Sequence, residues 1–503
     1  MPKIKKKLWF ALAGLPLLAA GYFLQNLEPY RPLLVTSGPA SCRMSVDVVE
    51  PVGGTPQGYV VLFHGVAANR RIMAHIAQDL ANQNLRVFAP DFPGHGRTAP
   101  PFNPVHASEC GEALVKELIE RHAIVPEQTI VAGHSMGGAI AMRVSARVQV
   151  AGVIAISPAP MRATPSVQQE FIFFPDDPPL AKNTLILFGA REPERLRAIS
   201  QAKVTEANDA TSQFQLIPHA THVSVLFDDK VLDAIRTWNK KLLGTDADVV
   251  RATNRALAGF LCGLLGLILL CVPFIGEIGG GLKDQSKEDA VPISPTRVLG
   301  QVIVASVAAV VVLKFWVPLR ILGLFQGDYL ASFALLEGLI LLTWNAAAIP
   351  RILRASWGSF FAACIGAIAL VLLFGLWLDY SFYEAWLTVP RWLRLAPVAA
   401  AFFPWILAEE LFLGAHGSMS RVRRLIFAMV LRAICWGVIV GALFFLHSGQ
   451  ILMLLLAAYF VILAILTRLA MDVVRRETQS PAATAVFGAI LSAGFALAIF
   501  PLA

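Results

Sequence analysis

Thr129-Ile130-Val131-Ala132-Gly133-His134-Ser135-Met136-Gly137-Gly138 is the most informative stretch of the chain. An apolar, strand-like run passes directly into G-x-S-x-G and then into residues compatible with a helix. In that context a serine is raised on a tight strand-to-helix turn. Gly133 and Gly137 suit such an elbow, because side chains two positions before and after the serine would collide with neighbouring backbone. Ser135 then presents its hydroxyl at a helix N-terminus, where the dipole favours developing negative charge. It is the candidate nucleophile, and His134 beside it is expected to shape the pocket.

Upstream, Val60-Val61-Leu62-Phe63-His64-Gly65-Val66 has the pattern of a buried strand ending in His-Gly. A glycine there lets the chain turn so that a backbone N–H points at a reacting carbonyl oxygen. The backbone of Val66 is therefore expected to complete an oxyanion hole with that of Met136, and His64 is expected to be structural. Asp91-Phe92-Pro93-Gly94-His95-Gly96-Arg97 follows another strand-like run. These three strings, in this order and spacing, resemble the α/β-hydrolase superfamily over about residues 40 to 244. The resemblance implies a mostly parallel sheet with helices on both faces, and a chain order of serine, acid, histidine. After Thr184-Leu185-Ile186-Leu187-Phe188-Gly189 it points to Glu192 as the acid that orients the imidazole, with Glu194 as the alternative. In Ile217-Pro218-His219-Ala220-Thr221-His222 it points to His222 as the base, with His219 as the alternative. The implied chemistry is acyl transfer from an ester-like substrate, with no metal or organic cofactor called for.

Outward from these motifs, strands are expected at 44–49, 59–63, 86–89, 129–132, 153–156, 185–188 and 214–217. Helices are expected at 72–82, 106–121, 137–147, 194–202 and 229–243. Strands separated by helices imply parallel pairing. About 28 residues separate Ile156 from Leu185, too few for a large cap. The site is therefore expected to be open, or covered by the apolar Phe171 to Phe174 stretch or by the apolar second half of the chain.

Beyond this domain the composition changes. From Ala256 onward, runs of roughly 20 apolar residues recur, the length that spans a bilayer. Eight spans are expected, at about 256–275, 298–317, 329–349, 356–378, 395–413, 425–446, 451–470 and 482–501. Pro318 ends one of them, and Pro397 and Pro404 interrupt another. Lys5-Lys6-Lys7 precedes a further apolar run, Leu8 to Leu24. A cleaved signal peptide competes there, but the run continues past Leu18-Ala19-Ala20-Gly21 and favours a retained anchor. Three domains result: an anchor at 1–27, a hydrolase domain at 40–244 and a transmembrane domain at 256–503.

The excess of 42 Lys and Arg over 34 Asp and Glu gives a net charge of +8. Much of it sits at span ends (Arg351, Arg354, Arg421, Arg423, Arg424, Arg475, Arg476), which reads as topology determinants rather than a nucleic-acid surface. Alternating the spans from a cytoplasmic N-terminus places these arginines inside and the hydrolase domain outside, as in the periplasm of a bacterial inner membrane. Four of the six cysteines (Cys262, Cys271, Cys364, Cys435) lie in apolar spans, whereas Cys42 and Cys110 lie in the hydrolase half, where pairing is open. Charged residues within spans are functional candidates. Glu409-Glu410 and Leu446-His447 resemble in part the motifs of membrane metalloproteases related to CAAX-processing enzymes. Gly414, however, stands where that family has an arginine. An interhelical Glu409–Arg432 pair is the simpler reading. Three functions follow: a membrane-tethered esterase or lipase-like enzyme acting on a lipid or acyl ester; a transporter or assembly factor with a regulatory or inactive hydrolase domain; and an intramembrane metalloprotease. The transmembrane half also offers surface to membrane lipids and to a second copy of the chain.

Overall fold

In the computed structural model of the protein, residues 2–27, 30–164, 167, 172–245, 249–279, 294–316, 320–353, 355–414 and 419–503 are described. Phe171, Pro318 and Arg354 lie outside them. The chain divides into two compact units. One comprises Leu24–Ala258, Asp379–Glu384 and Pro501–Ala503, and the other comprises Met1–Phe23, Gly259–Leu378 and Ala385–Phe500.

The first unit is built on an eight-stranded sheet: β1 (Leu33–Ser37), β2 (Met44–Val49), β3 (Gly58–Phe63), β4 (Leu85–Pro90), β5 (Thr129–His134), β6 (Gly152–Ile156), β7 (Thr184–Gly189) and β8 (Gln213–Ile217). Their spatial order is β1-β2-β4-β3-β5-β6-β7-β8. β2 pairs antiparallel with β1 and β4, and the remaining pairings are parallel. The antiparallel start has a simple cause. Residues 50–57 between β2 and β3 are too few for a crossover helix, so the chain must reverse. β1 is absent from the sequence expectation, because its short apolar run abuts Pro32 and the preceding apolar span.

The adjacent strands β5, β6 and β7 are buried along their whole length, as expected of parallel strands covered on both faces. Side chains alternate along them. Val60, Leu62, Ile130, Ala132, Leu185 and Leu187 join one core with α2 (Ala74–Asn82) and α6 (Asp229–Leu243). Phe63 points the other way, toward Gly111 of α3 (Pro104–Glu120), which in turn packs on Ile140 of α4 (Met136–Ser145). A disulfide between Cys42 and Cys110 ties the turn after β1 to α3, which answers the pairing left open by the sequence. Between β6 and β7, Phe174 is buried with the Arg143 guanidinium 4.7 Å from its ring centroid, so this aromatic is anchored to α4 rather than free to cover a site.

Two short pieces from the second half of the sequence complete this unit. Leu502 exchanges backbone hydrogen bonds with Gly94 and Phe102. Asp379–Glu384 contributes Tyr383 and Glu384, whose contacts are described below.

The other unit is helical. Among the described residues, nine helices of the protein are long and apolar enough to cross a membrane, the first being Leu8–Leu27 and the last Pro481–Ile499. The helix Val389–Leu413 runs on through Pro397 and Pro404. The run expected at 451–470 divides into a short turn of helix, Ile451–Leu455, and a helix over Ala457–Thr478. Glu409 accepts from Arg432 at 2.7 and 2.9 Å, the pair expected from sequence, and Arg468 joins Glu409, Glu410 and Asp472 in the same buried network. Opposite charges hydrogen-bonded together are the arrangement in which buried ions are tolerated. Glu337 accepts from Ser306 Oγ at 3.0 Å.

Candidate active site

The sequence-predicted site residues converge at the C-terminal ends of the parallel strands. Ser135 follows β5, Glu192 lies three residues beyond β7, and His222 five residues beyond β8. This edge of an open α/β sheet is where loops can meet over a crevice.

Ser135 has φ 55° and ψ −119°, a strained conformation for a residue with a side chain. The fold holds it there from both sides. Its N–H donates to Ile156 O at 2.9 Å, and its carbonyl accepts from Ala139 and Ala159. A Cβ on Gly133 would overlap the carbonyl of Gly137, and one on Gly137 would lie 2.5 Å from His64 O and Phe63 O. The elbow glycines are therefore a requirement of close backbone approach. Met136 follows as the first residue of α4.

His222 Nε2 lies 3.1 Å from Ser135 Oγ, and its Nδ1 lies 2.7 Å from Glu192 Oε2. A carboxylate can only accept, so Nδ1 carries the proton and Nε2 is left as the acceptor facing the serine hydroxyl. Glu192 is buried, and its other oxygen accepts from Gly189 N at 2.9 Å and from Ser157 Oγ. One methylene longer than the aspartate more usual at this place, it is folded back onto the end of its own strand. Of the two alternatives, Glu194 is exposed at the start of the helix Glu194–Ala207, and His219 is exposed in a left-handed turn at φ 64°.

Two further histidines surround the serine. His134 Nε2 is 2.8 Å from the backbone carbonyl of His222, so this nitrogen is the donor and the ring bolts the His222 loop to the elbow. Burial, aided by the neighbouring His222, pushes its pKa down to about 3 and keeps it neutral. His64 donates from Nδ1 to Gly65 O at 2.7 Å and accepts at Nε2 from Phe92 N at 3.1 Å. It too is depressed by burial, to about 4. Gly65 passes so close to the elbow that a Cβ on it would lie 3.1 Å from Ser135 Cβ. Val66 therefore starts a turn beside the serine, closed by Ala68 N donating to Gly65 O at 3.2 Å.

Chemically, an imidazole held between a buried carboxylate and a serine hydroxyl can take the hydroxyl proton as the oxygen attacks a carbonyl, and return it to a leaving group. The serine is 5% exposed and the imidazole 28% exposed, so the pair is reachable from outside the fold. Sequence reasoning missed Ser157 as a partner of the acid; its only signal is its place directly after β6. It also missed the buried Arg70, whose guanidinium binds Asp47 and Asp91. Asp91 belongs to the D-x-P-G-H-G string, which thus proves to be a scaffold for charge rather than a bearer of chemistry. Among the described residues, the one cluster of metal-ligating type is Cys42, His106 and Cys110, and its two sulfurs are joined in the disulfide. Glu409, Glu410 and His447 form no such cluster there.

Comparison with known proteins agrees with this architecture. Residues 60–268 match the alpha/beta hydrolase family. The chain is similar to a monoacylglycerol lipase of Mycolicibacterium smegmatis, 36% identical over 117 residues, covering 22% of this chain and 40% of the relative. It is also similar to the lipase LipV of Mycobacterium tuberculosis, 31% identical over 119 residues, covering 23% of this chain and 43% of the relative. The chain thus spans less than half the length of these two relatives. Solved structures that resemble it include an esterase of Pyrococcus furiosus, with TM-score 0.36 and 16% identity over 44% of this chain and 96% of that one. A soluble variant of the monoglyceride lipase of Saccharomyces cerevisiae has TM-score 0.33 and 17% identity over 44% and 99%.

Proposed function

Because the first half of this chain is an alpha/beta hydrolase domain, we propose that the protein is a membrane-embedded serine hydrolase that cleaves an acyl ester through Ser135, His222 and Glu192. The observation that carries this reading is the single imidazole bonded on one nitrogen to a buried carboxylate and facing the strained serine with the other. In the proposed sequence, His222 Nε2 accepts the Ser135 proton as Oγ attacks the ester carbonyl. The backbone N–H groups of Met136 and Val66 hold the oxyanion, and the protonated imidazole passes its proton to the departing alcohol. A water, deprotonated by the same imidazole, then releases the acid and restores the serine. Glu192 stabilises the imidazolium.

Similarity to a monoacylglycerol lipase and a second lipase supports an acyl ester of lipid type, delivered at the bilayer surface by the spans that flank the domain. The disulfide supports an extracytoplasmic hydrolase domain, since such bonds persist in oxidising compartments, and it agrees with the arginine-rich ends of the spans. The test is labelling of the full-length protein with a fluorescent fluorophosphonate. Wild type is expected to be labelled and Ser135→Ala not, with p-nitrophenyl ester hydrolysis lost in parallel. Undiminished hydrolysis by Ser135→Ala would overturn the reading. Mass analysis of lipids accumulating without the protein then identifies the ester class.

A further inference from the structure

The catalytic loops of the hydrolase unit are braced by a segment distant in sequence, Asp379–Glu384, which runs from the last residues of the apolar helix Trp357–Ser381 into the link before the helix Val389–Leu413. Three of its residues, Phe382, Tyr383 and Glu384, supply contacts that form the brace. The Tyr383 hydroxyl donates to Ala67 O at 3.0 Å. Phe382 packs on Phe227, five residues beyond His222, with ring centroids 5.7 Å apart. The Glu384 carboxylate binds Arg70 and Arg97, and its backbone carbonyl accepts from Asn69 Nδ2 at 3.3 Å.

The Tyr383 contact leads toward the reacting centre through successive peptide planes. Ala67 sits at φ 56°, a conformation that persists for a residue with a side chain only when its surroundings impose it. The carbonyl held by Tyr383 shares its peptide plane with Ala68 N–H, which donates to Gly65 O at 3.2 Å. Gly65 O also accepts from His64 Nδ1 at 2.7 Å. That carbonyl in turn shares its plane with Val66 N–H, and in a trans peptide the two point in opposite directions. Fixing Gly65 O therefore fixes the direction of the N–H assigned to the oxyanion.

We propose that Asp379–Glu384 is a positioning part of the active site, in which Tyr383 sets the aim of the Val66 oxyanion donor by holding the Gly65–Ala68 turn. The proposal rests on the Ser135–His222 reading above. Tyr383 touches no reacting atom and acts through the turn. It makes acyl transfer dependent on a segment outside the contiguous alpha/beta hydrolase sequence.

The experiment uses the full-length protein in detergent, with p-nitrophenyl butyrate as substrate and active sites counted by end-point fluorophosphonate titration, so that misfolded molecules drop out of kcat. Tyr383→Phe removes only the hydroxyl. It is expected to lower kcat about 10- to 100-fold with KM changed less than about twofold, because an oxyanion donor acts in the transition state. Inhibition by an alkyl trifluoromethyl ketone, whose tetrahedral adduct needs the same donor, is expected to weaken by the factor lost in kcat/KM. Ala67→Gly loosens the same turn, and its loss should be non-additive with that of Tyr383→Phe. Unchanged kcat in Tyr383→Phe, undiminished ketone affinity, or additive losses would each overturn the positioning role. Failure of the underlying reading is a different result: Ser135→Ala would then hydrolyse the ester as wild type does.

Discussion

Glu192 occupies the position at which sequence reasoning is most exposed, because a longer side chain could as well have pointed away. Its two oxygens are instead divided between the imidazole and the β7–β6 strand ends, Gly189 N and Ser157 Oγ. We expect Glu192→Gln to keep the shape but offer the wrong partner to His222 Nδ1–H. A loss on the order of 10^3- to 10^4-fold in kcat should follow, with little change in KM, measured by ester hydrolysis. The buried histidines give a second residue-scale expectation. Burial lowers His64 from 6.5 to about 4 and His134 from 6.5 to about 3. Their contribution to stability is complete above the unfolded value near 6.5. It drains as pH falls toward the folded values, because the unfolded chain takes up protons that the folded one refuses, by about 3 kcal/mol for His64 and about 5 kcal/mol for His134. Asp91 and Glu384, raised by burial, have the opposite sign: they favour the fold below the ordinary carboxylate range and lose that contribution as pH rises through their raised values. The Tm is therefore expected to drop between pH 6.5 and 4, and His134→Gln, which can still donate to the His222 carbonyl, should flatten that slope.

At the scale of elements, the strands and helices of the hydrolase domain follow their apolar patterns closely. Only β1 escapes, since an edge strand with four exposed or half-buried residues in five carries little periodic signal. The Cys42–Cys110 bond ties the turn Ala40–Cys42 to α3 across a sequence separation of 68 residues. Closing so long a loop removes entropy from the unfolded chain worth about 4 kcal/mol. The paired variant Cys42→Ser/Cys110→Ser, compared with wild type by thermal unfolding without reductant, should lose several degrees in Tm. Dithiothreitol should reproduce the loss in wild type and leave the variant unchanged. The pairing was open at the level of sequence because closeness of two cysteines depends on how β1 and α3 pack, which spacing does not encode.

For the whole molecule, nine helices among the described residues are long and apolar enough to cross a membrane, and from the arginines at alternate span ends we expect the N-terminus to be cytoplasmic and the hydrolase domain outside. Reporter fusions test it. Alkaline phosphatase joined after Leu243 should be active and green fluorescent protein at the same place dark, whereas both should reverse when joined after Arg476. A fluorescent fusion after Leu243 would place the domain on the cytoplasmic side and remove the oxidising compartment invoked for its disulfide.

Hydropathy, motif order and glycine placement were enough to read the alpha/beta hydrolase domain, Ser135 at its elbow and the succession of apolar spans, because each is written in neighbours along the chain. Gly133 and Gly137 lie two positions from the serine they accommodate, and a span is a run of about 20 residues. What needed the folded chain were meetings between distant residues: Ser157 with Glu192, His134 with the carbonyl of His222, Cys42 with Cys110, and Tyr383 with Ala67. No local pattern records such a pair, since whether a donor finds its acceptor depends on the packing of everything between them. Asp379–Glu384 illustrates the point most plainly. In sequence it is the end of one apolar helix and the start of the link to the next, and in the fold it belongs with a sheet whose strands end more than 150 residues earlier.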